Sequence, residues 1–146
     1  MAQFENPSDD QLKQLFKTTK TIALVGASPK PERPSNGVMK FLLNQGYKVI
    51  PVNPGQAGGE IHGQTVVAQL SDITEPVDMV DIFRNSEDAA GAVDDAIKIR
   101  AKSVWMQLGV INPDAAAKAI DHGMTAVMNR CPAIEIPRLT GISAEH

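Results

Sequence analysis

Apolar residues in this chain alternate between two patterns: short unbroken runs, and longer stretches in which they recur every three or four positions. The runs at 21–25, 47–52, 77–83, 103–108 and 125–128 are largely apolar without a strict alternation, which predicts strands covered on both faces. Asp78 and Asp81 are the uneasy residues inside the third run. The stretches between runs carry helix signals. Ser8 predicts an N-cap with Gln11 reaching back to it, and Leu12, Leu15 and Phe16 form the apolar face of an N-terminal helix. Val38, Phe41 and Leu42 trace a second helix ending at Gly46. Ser86 predicts the cap of a third, with Glu87 and Asp88 in its first turn and Lys98 and Arg100 in its last. Asn112-Pro113 opens a fourth, running to Gly123. Residues 65–70 read as a short strand or a turn of helix.

This alternation implies one α/β domain over residues 1–146: a Rossmann-like, doubly wound, five-stranded parallel sheet with helices on both faces, right-handed crossovers and an extra N-terminal helix. The expected strand order is 3-2-1-4-5. Ligands of such sheets lie outside the carboxyl ends of the strands, where the connections reverse direction, here between the first and fourth strands. The candidate site loops are therefore 26–35, 53–63, 83–86, 107–112 and 129–132.

The first of these is the most informative. The strand stops at Gly26, a proline-studded polar loop comes next, and Ser35 reads as the N-cap of the next helix, whose free N–H groups favour an anion. Lys30 and Arg33 stand in the same loop, so phosphate groups of a nucleotide-like molecule are the expected ligand. A dinucleotide fingerprint is missing: Ala27 and Ser28 follow Gly26, the next glycine is Gly37, and Asn53-Pro54 stands where a ribose-binding acid belongs. No G-x-x-x-x-G-K-[ST] phosphate loop occurs either. The expected ligand bears phosphate without being an ordinary NAD.

The net charge of -3 gives no general attraction to nucleic acid or to an anionic membrane, so anion affinity must be local. No apolar run approaches the ~18–20 residues that span a bilayer. The start MAQFENPSDD has no signal-peptide pattern, and a single cysteine, Cys131, excludes an internal disulfide, so a cytoplasmic protein is expected. His62, His122 and Cys131 fall in no metal-ligand spacing. His122 reads as a surface residue at a helix end, and His62, in a glycine-rich loop, as structural or as part of the site. Arg130 beside Cys131 could lower its thiol pKa, but no histidine is adjacent. Glu135 reads as a salt-bridge partner of Arg138 or Arg130, or a general base. Trp105 and Met106 read as core.

VGAS at 25–28, P-x-R-x-S at 31–35 with Val38, VIPVNP at 49–54, GGEIHG at 58–63, VWMQLGV at 104–110 and NRCPAIE at 129–135 occur here in one order. Together they resemble the small stand-alone prokaryotic CoA-binding proteins, which are similar in turn to the CoA-binding domain of the succinyl-CoA synthetase alpha subunit. The resemblance spans about 21–139. It implies coenzyme A, or an acyl-CoA, lying across the strand ends, with Gly26, Ala27, Ser28, Arg33, Ser35 and Val38 in the first loop. Asn53 and Pro54 come from the second, Phe83 and Arg84 from the third, and Gln107 and Gly109 from the fourth; Lys30 joins them as a loop cation. Gln56 replaces a lysine of the synthetase loop, and Asn129 an aspartate common in the family. The synthetase's catalytic histidine belongs to a second domain. The chain is accordingly read as a binding module with no derivable catalysis, a monomer or weak homodimer, with a protein partner left open. Two alternatives stand beside it: an acyl-transfer or thiol-exchange enzyme using Cys131, and an NADP-dependent oxidoreductase in which Arg33 reads the ribose phosphate.

Overall fold

In a computed structural model of the chain, which describes residues 4–140, five parallel strands form one sheet: β1 (Thr21–Val25), β2 (Lys48–Val52), β5 (Met79–Ile82), β6 (Ser103–Met106) and β7 (Thr125–Val127). A separate hairpin pairs β3 (Glu60–Ile61) with β4 (Gln64–Thr65). Alternate residues of each sheet strand enter opposite cores. Ala23, Val25, Val80, Ile82, Val104 and Met106 face α3 (Ala89–Lys98) and α4 (Pro113–Asp121). Those helices present alanines, Ala92, Ala96, Ala116 and Ala119 among them, and so lie close to the sheet. Ile22, Leu24, Met79, Trp105 and Val127 face the bulkier side chains of α1 (Asp9–Thr18), α2 (Pro34–Asn44) and α5 (Pro132–Thr140). Met39 and Leu42 are fully buried there, each worth about 1.5–3 kcal/mol of transfer free energy. Phe16 packs on Trp105 with ring centroids 5.2 Å apart, docking α1.

The sheet order is β2-β1-β5-β6-β7, not the expected 3-2-1-4-5. The third sheet strand, β5, inserts on the far side of β1, which makes β2 an edge. The path of the chain after β2 explains this. Val67 bonds back to its outer side, Val67 N–H to Pro51 O at 3.0 Å and Asn53 N–H to Val67 O at 2.9 Å, and so occupies the place of a third strand. Pro51 is the signal in the sequence: its nitrogen, on that same outer side, has no hydrogen to offer a neighbouring strand, so it belongs on an edge. The reversal of direction therefore lies between β1 and β5.

Helix ends obey the expected chemistry in most places. Ser8 and Gln11 form a reciprocal capping box, Asn112 caps α4 through Ala115 N–H, and Gly46 at φ +96° closes α2 with Tyr47 N–H bonded to Leu42 O. Residues 65–70 resolve into the end of β4 and the start of a 3-10 turn, Leu70–Asp72. Ser86 does not cap α3. Asn85 Oδ1 takes the Asp88 N–H at 2.7 Å, while the Ser86 hydroxyl accepts Ile111 N–H at 2.8 Å and ties the third loop to the fourth. Helix α5 has no clear signal in the sequence, because Pro132 and Pro137 break a helical pattern; Pro132 opens the helix, where no N–H is required.

Candidate functional site

The strand ends open onto a cavity of ≈ 710 Å³, within the size range of cofactor sites. Gly26 sets its geometry. At φ +88° it donates its N–H to Val52 O at 3.0 Å, and a Cβ there would stand 2.2 Å from Phe83 O. The loops after β1, β2 and β5 thus meet at a residue with no side chain. The next two carbonyls are held by amides: Asn53 Nδ2 donates to Ala27 O at 2.7 Å, and Asn36 Nδ2 to Ser28 O at 2.9 Å. Because the peptide is trans, the Ser28 N–H points opposite to the restrained Ala27 carbonyl. The Ser28 Oγ accepts Lys30 N–H at 3.2 Å and keeps its own proton to donate.

Ser35 is not the N-cap of α2. The cap lies two residues earlier, at Arg33, which makes no side-chain cap bond, and Pro34 opens the first turn, where its preset φ fits and its missing N–H costs nothing. Ser35 is buried in that first turn and lines the cavity. Asn36 N–H returns to Arg33 O at 3.0 Å, which leaves the Ser35 N–H as the first-turn donor beside the cations.

Lys30, Arg33 and Arg84 line the cavity, and among the described residues no Asp or Glu does. In a chain of net charge -3 this makes a local positive site. The part of the wall formed by Val38, Leu108, Val110 and Cys131 is uncharged. Leu108 is 55% exposed there, and Cys131 7%. Gln107 also borders the cavity. With its amide nitrogen turned inward it donates to Asp81 Oδ1 at 2.9 Å. Asp81 is fully buried in β5, and burial pushes its carboxyl well above the usual carboxylate range. Asp78, in the segment leading into β5, behaves differently. Partial burial raises its pKa, but bonds from Thr21 and Lys20 N–H and the Lys102 ammonium at 3.5 Å outweigh that and hold it low.

The cavity gathers Gly26, Ala27, Ser28, Lys30, Arg33, Ser35, Val38, Asn53, Phe83, Arg84 and Gln107 from the expected residues. Two stand elsewhere. Pro54 borders a second cavity, of ≈ 370 Å³, on the α3 side together with Arg84, because it turns outward into the 3-10 turn Pro54–Gln56. Gly109 is drawn off by its N–H, which bonds Asn129 Oδ1 at 2.8 Å. Pro34, Gln56, Asn85, Leu108 and Val110 complete the wall. Each is adjacent in sequence, or nearly so, to an expected residue; loop position was the signal for Pro34 and Asn85, and the resemblance added one for Gln56, Leu108 and Val110. Glu135 bonds Arg138 at 2.9 Å, and Arg138 also clamps Asp9 of α1, so Glu135 serves the packing of α5. His122 bonds Lys118 O at the end of α4. Among the described residues no cluster of His, Cys, Asp and Glu could hold a metal ion, and no helix is long and apolar enough to cross a membrane.

A family model described as a CoA binding domain matches residues 20–137. The chain belongs to the CoA-binding domain family. Its likeness to other proteins extends over most of its length. It is 35% identical to the uncharacterized protein YneT of Bacillus subtilis (strain 168) over 127 residues, covering 87% of this chain and 93% of that one. A hypothetical protein from Pyrococcus horikoshii OT3 superposes with a TM-score of 0.87 at 39% identity, over 95% of this chain and 99% of the other. An acetyl-coenzyme A synthetase 1 of Ca. Korarchaeum cryptofilum, solved in complex with phosphate and ADP, matches at a TM-score of 0.68 and 28% identity. That match covers 84% of this chain but 28% of the synthetase. The same fold thus spans nearly all of the Pyrococcus protein and about a quarter of the synthetase.

Proposed function

We propose that the cavity binds CoA or an acyl-CoA and that the protein is a CoA-binding module without catalysis of its own. The observation that carries this is the concentration of Lys30, Arg33 and Arg84, with no acid beside them, around the start of α2 in an acidic chain. In this reading the ADP and phosphate portion of CoA lies along the loops after β1, β2 and β5. It takes donors from Ser28, Ser35 and the cations. The pantetheine arm runs to the uncharged wall, so the thiol, or the acyl group it carries, meets Gln107, Leu108 and Val110. The match of residues 20–137 to a family model described as a CoA binding domain supports the choice of CoA over other phosphate ligands. A cytoplasmic location and a monomer or weak homodimer complete the proposal.

Thermal melting with CoA, dephospho-CoA, NADP and ATP tests it. A ligand at 100 times its Kd adds about 2.7 kcal/mol, and a domain of this size gains roughly 2–4 °C or more per kcal/mol. A shift with CoA, smaller with dephospho-CoA, is expected; a shift with NADP and none with CoA would return the oxidoreductase reading. One observation favours a second reading, thiol exchange: Cys131 lies in the cavity wall. Its thiolate would attack a CoA disulfide, forming the Cys131–CoA disulfide and releasing one CoA thiol. Mass spectrometry after incubation with CoA disulfide should show that adduct and its absence from Cys131→Ser; an unmodified wild-type protein removes this reading.

A further inference from the structure

The β3–β4 hairpin turns at His62 and Gly63, with φ of +48° and +79°. A two-residue turn with both central residues at positive φ takes Asn-Gly or Asp-Gly most readily, so a histidine needs a reason to be there. Its side chain supplies one. His62 Nε2 stands 3.0 Å from both Asn36 O and Asn36 Oδ1. The proton positions are set by what each partner can do. Ser28 O can only accept, so the atom of Asn36 facing it is Nδ2, and Oδ1 faces His62. Both atoms opposite Nε2 are then acceptors, and Nε2 carries the proton. The chain of bonds runs His62 Nε2–H to Asn36 Oδ1, and Asn36 Nδ2–H to Ser28 O.

Ser28 is part of the cavity wall, whereas the buried Asn36 and the hairpin are not. The Ser28 carbonyl is therefore turned toward a side chain behind the wall. The following residue, Pro29, has no N–H, so the benefit of this arrangement is the removal of an oxygen. We infer that His62 is a positioning residue of the cavity. Acting through Asn36, it holds the Ser28 peptide so that an anionic ligand group meets N–H and hydroxyl donors and no carbonyl dipole. The inference rests on the CoA-binding reading and adds a residue outside the cavity to it.

The test uses His62→Asn. Asparagine suits the positive φ, so the hairpin keeps or gains stability, but its shorter side chain does not reach Asn36. Calorimetric titration of the wild type with CoA comes first, then the variant and His62→Gln, whose amide can donate at similar reach. The expected result is an unchanged or higher melting temperature for His62→Asn with CoA binding about 2- to 12-fold weaker, the equivalent of one net hydrogen bond, and partial recovery in His62→Gln. Wild-type affinity in His62→Asn overturns the relay alone. Loss of affinity together with a lowered melting temperature, without recovery in His62→Gln, also overturns it, in favour of a role in the fold. A wild-type protein that does not bind CoA overturns the reading beneath it.

Discussion

Replacing Gly26 by alanine tests the junction on which the cavity is built. The new methyl group would lie 2.2 Å from Phe83 O, a backbone atom that cannot swing aside as a side-chain tip can. Phe83 is fixed by its own N–H bond to Val25 O at 2.8 Å, and Gly26 by its bond to Val52 O at 3.0 Å. Relief of the overlap must therefore weaken one of these bonds, at a net cost of about 0.5–1.5 kcal/mol. The backbone at φ +88° adds roughly 1–2 kcal/mol for an L side chain. Together these give an expected loss of about 1.5–3.5 kcal/mol, read in urea unfolding as a lower midpoint at unchanged slope. Gly37→Ala is the control. It lies within α2, a Cβ there meets nothing within 4 Å, and alanine should add about 0.5–1 kcal/mol. If Gly26→Ala stayed within about 0.5 kcal/mol of the wild type, the close approach of the three loops, and the cavity derived from it, would be wrong.

The other predictions concern charge. Arg33→Ala should weaken CoA by about 1.5–3 kcal/mol, the worth of a charge-assisted bond, at unchanged stability, since the residue is exposed in the loop. Equal CoA affinity in wild type and variant would take Arg33 away from the phosphates. Asp81, with its pKa raised by burial, favours the folded state fully below pH about 4, and that contribution is lost as pH rises through the folded-state value. Asp81→Asn should therefore gain on the wild type in melting temperature as pH rises from about 4 to 8; parallel profiles would show that the carboxyl is not buried. Asp78, held low, has the opposite sign. Its contribution is present above pH about 4 and fades on acidification, so Asp78→Asn should show a flatter acid limb, and an unaltered limb would deny the bonds to Thr21 and Lys20.

Element type was legible in the sequence wherever the signal was local. Buried runs and caps such as Ser8, Asn112 and Gly46 each depend on residues within a turn of one another. Strand order was not, because it is decided by what the chain does after β2, where Val67 returns to the edge. Pro51 carried that information in a single missing hydrogen. Ser35 and Ser86 read as caps on residue preference alone. Competing local chemistry decided otherwise: the backbone preference of Pro34 in one case, the reach of Asn85 in the other. The cavity residues of the first loop were visible because a glycine and cations stand together there. Asn36 and His62 act across 26 residues, a pairing that no local pattern reveals.

The corrected strand order changes why the expected residues belong together. With the third sheet strand beyond β2, the neighbour of the first loop at the reversal point would have been the fourth loop, and Phe83 and Arg84 would have lain at the far edge. With β5 beside β1, Ile82 pairs with Val25 and the chain at Phe83 rises directly against Gly26. That proximity requires glycine at 26, and it brings Arg84 into the same cavity wall as Arg33. The cations thus come from loops on the two sides of the reversal, where a polyanion can be held between them. A protein with net negative charge can bind such a ligand because the contacts are local: charges beyond a Debye length of about 8 Å are largely screened at physiological salt, while those in the wall act directly.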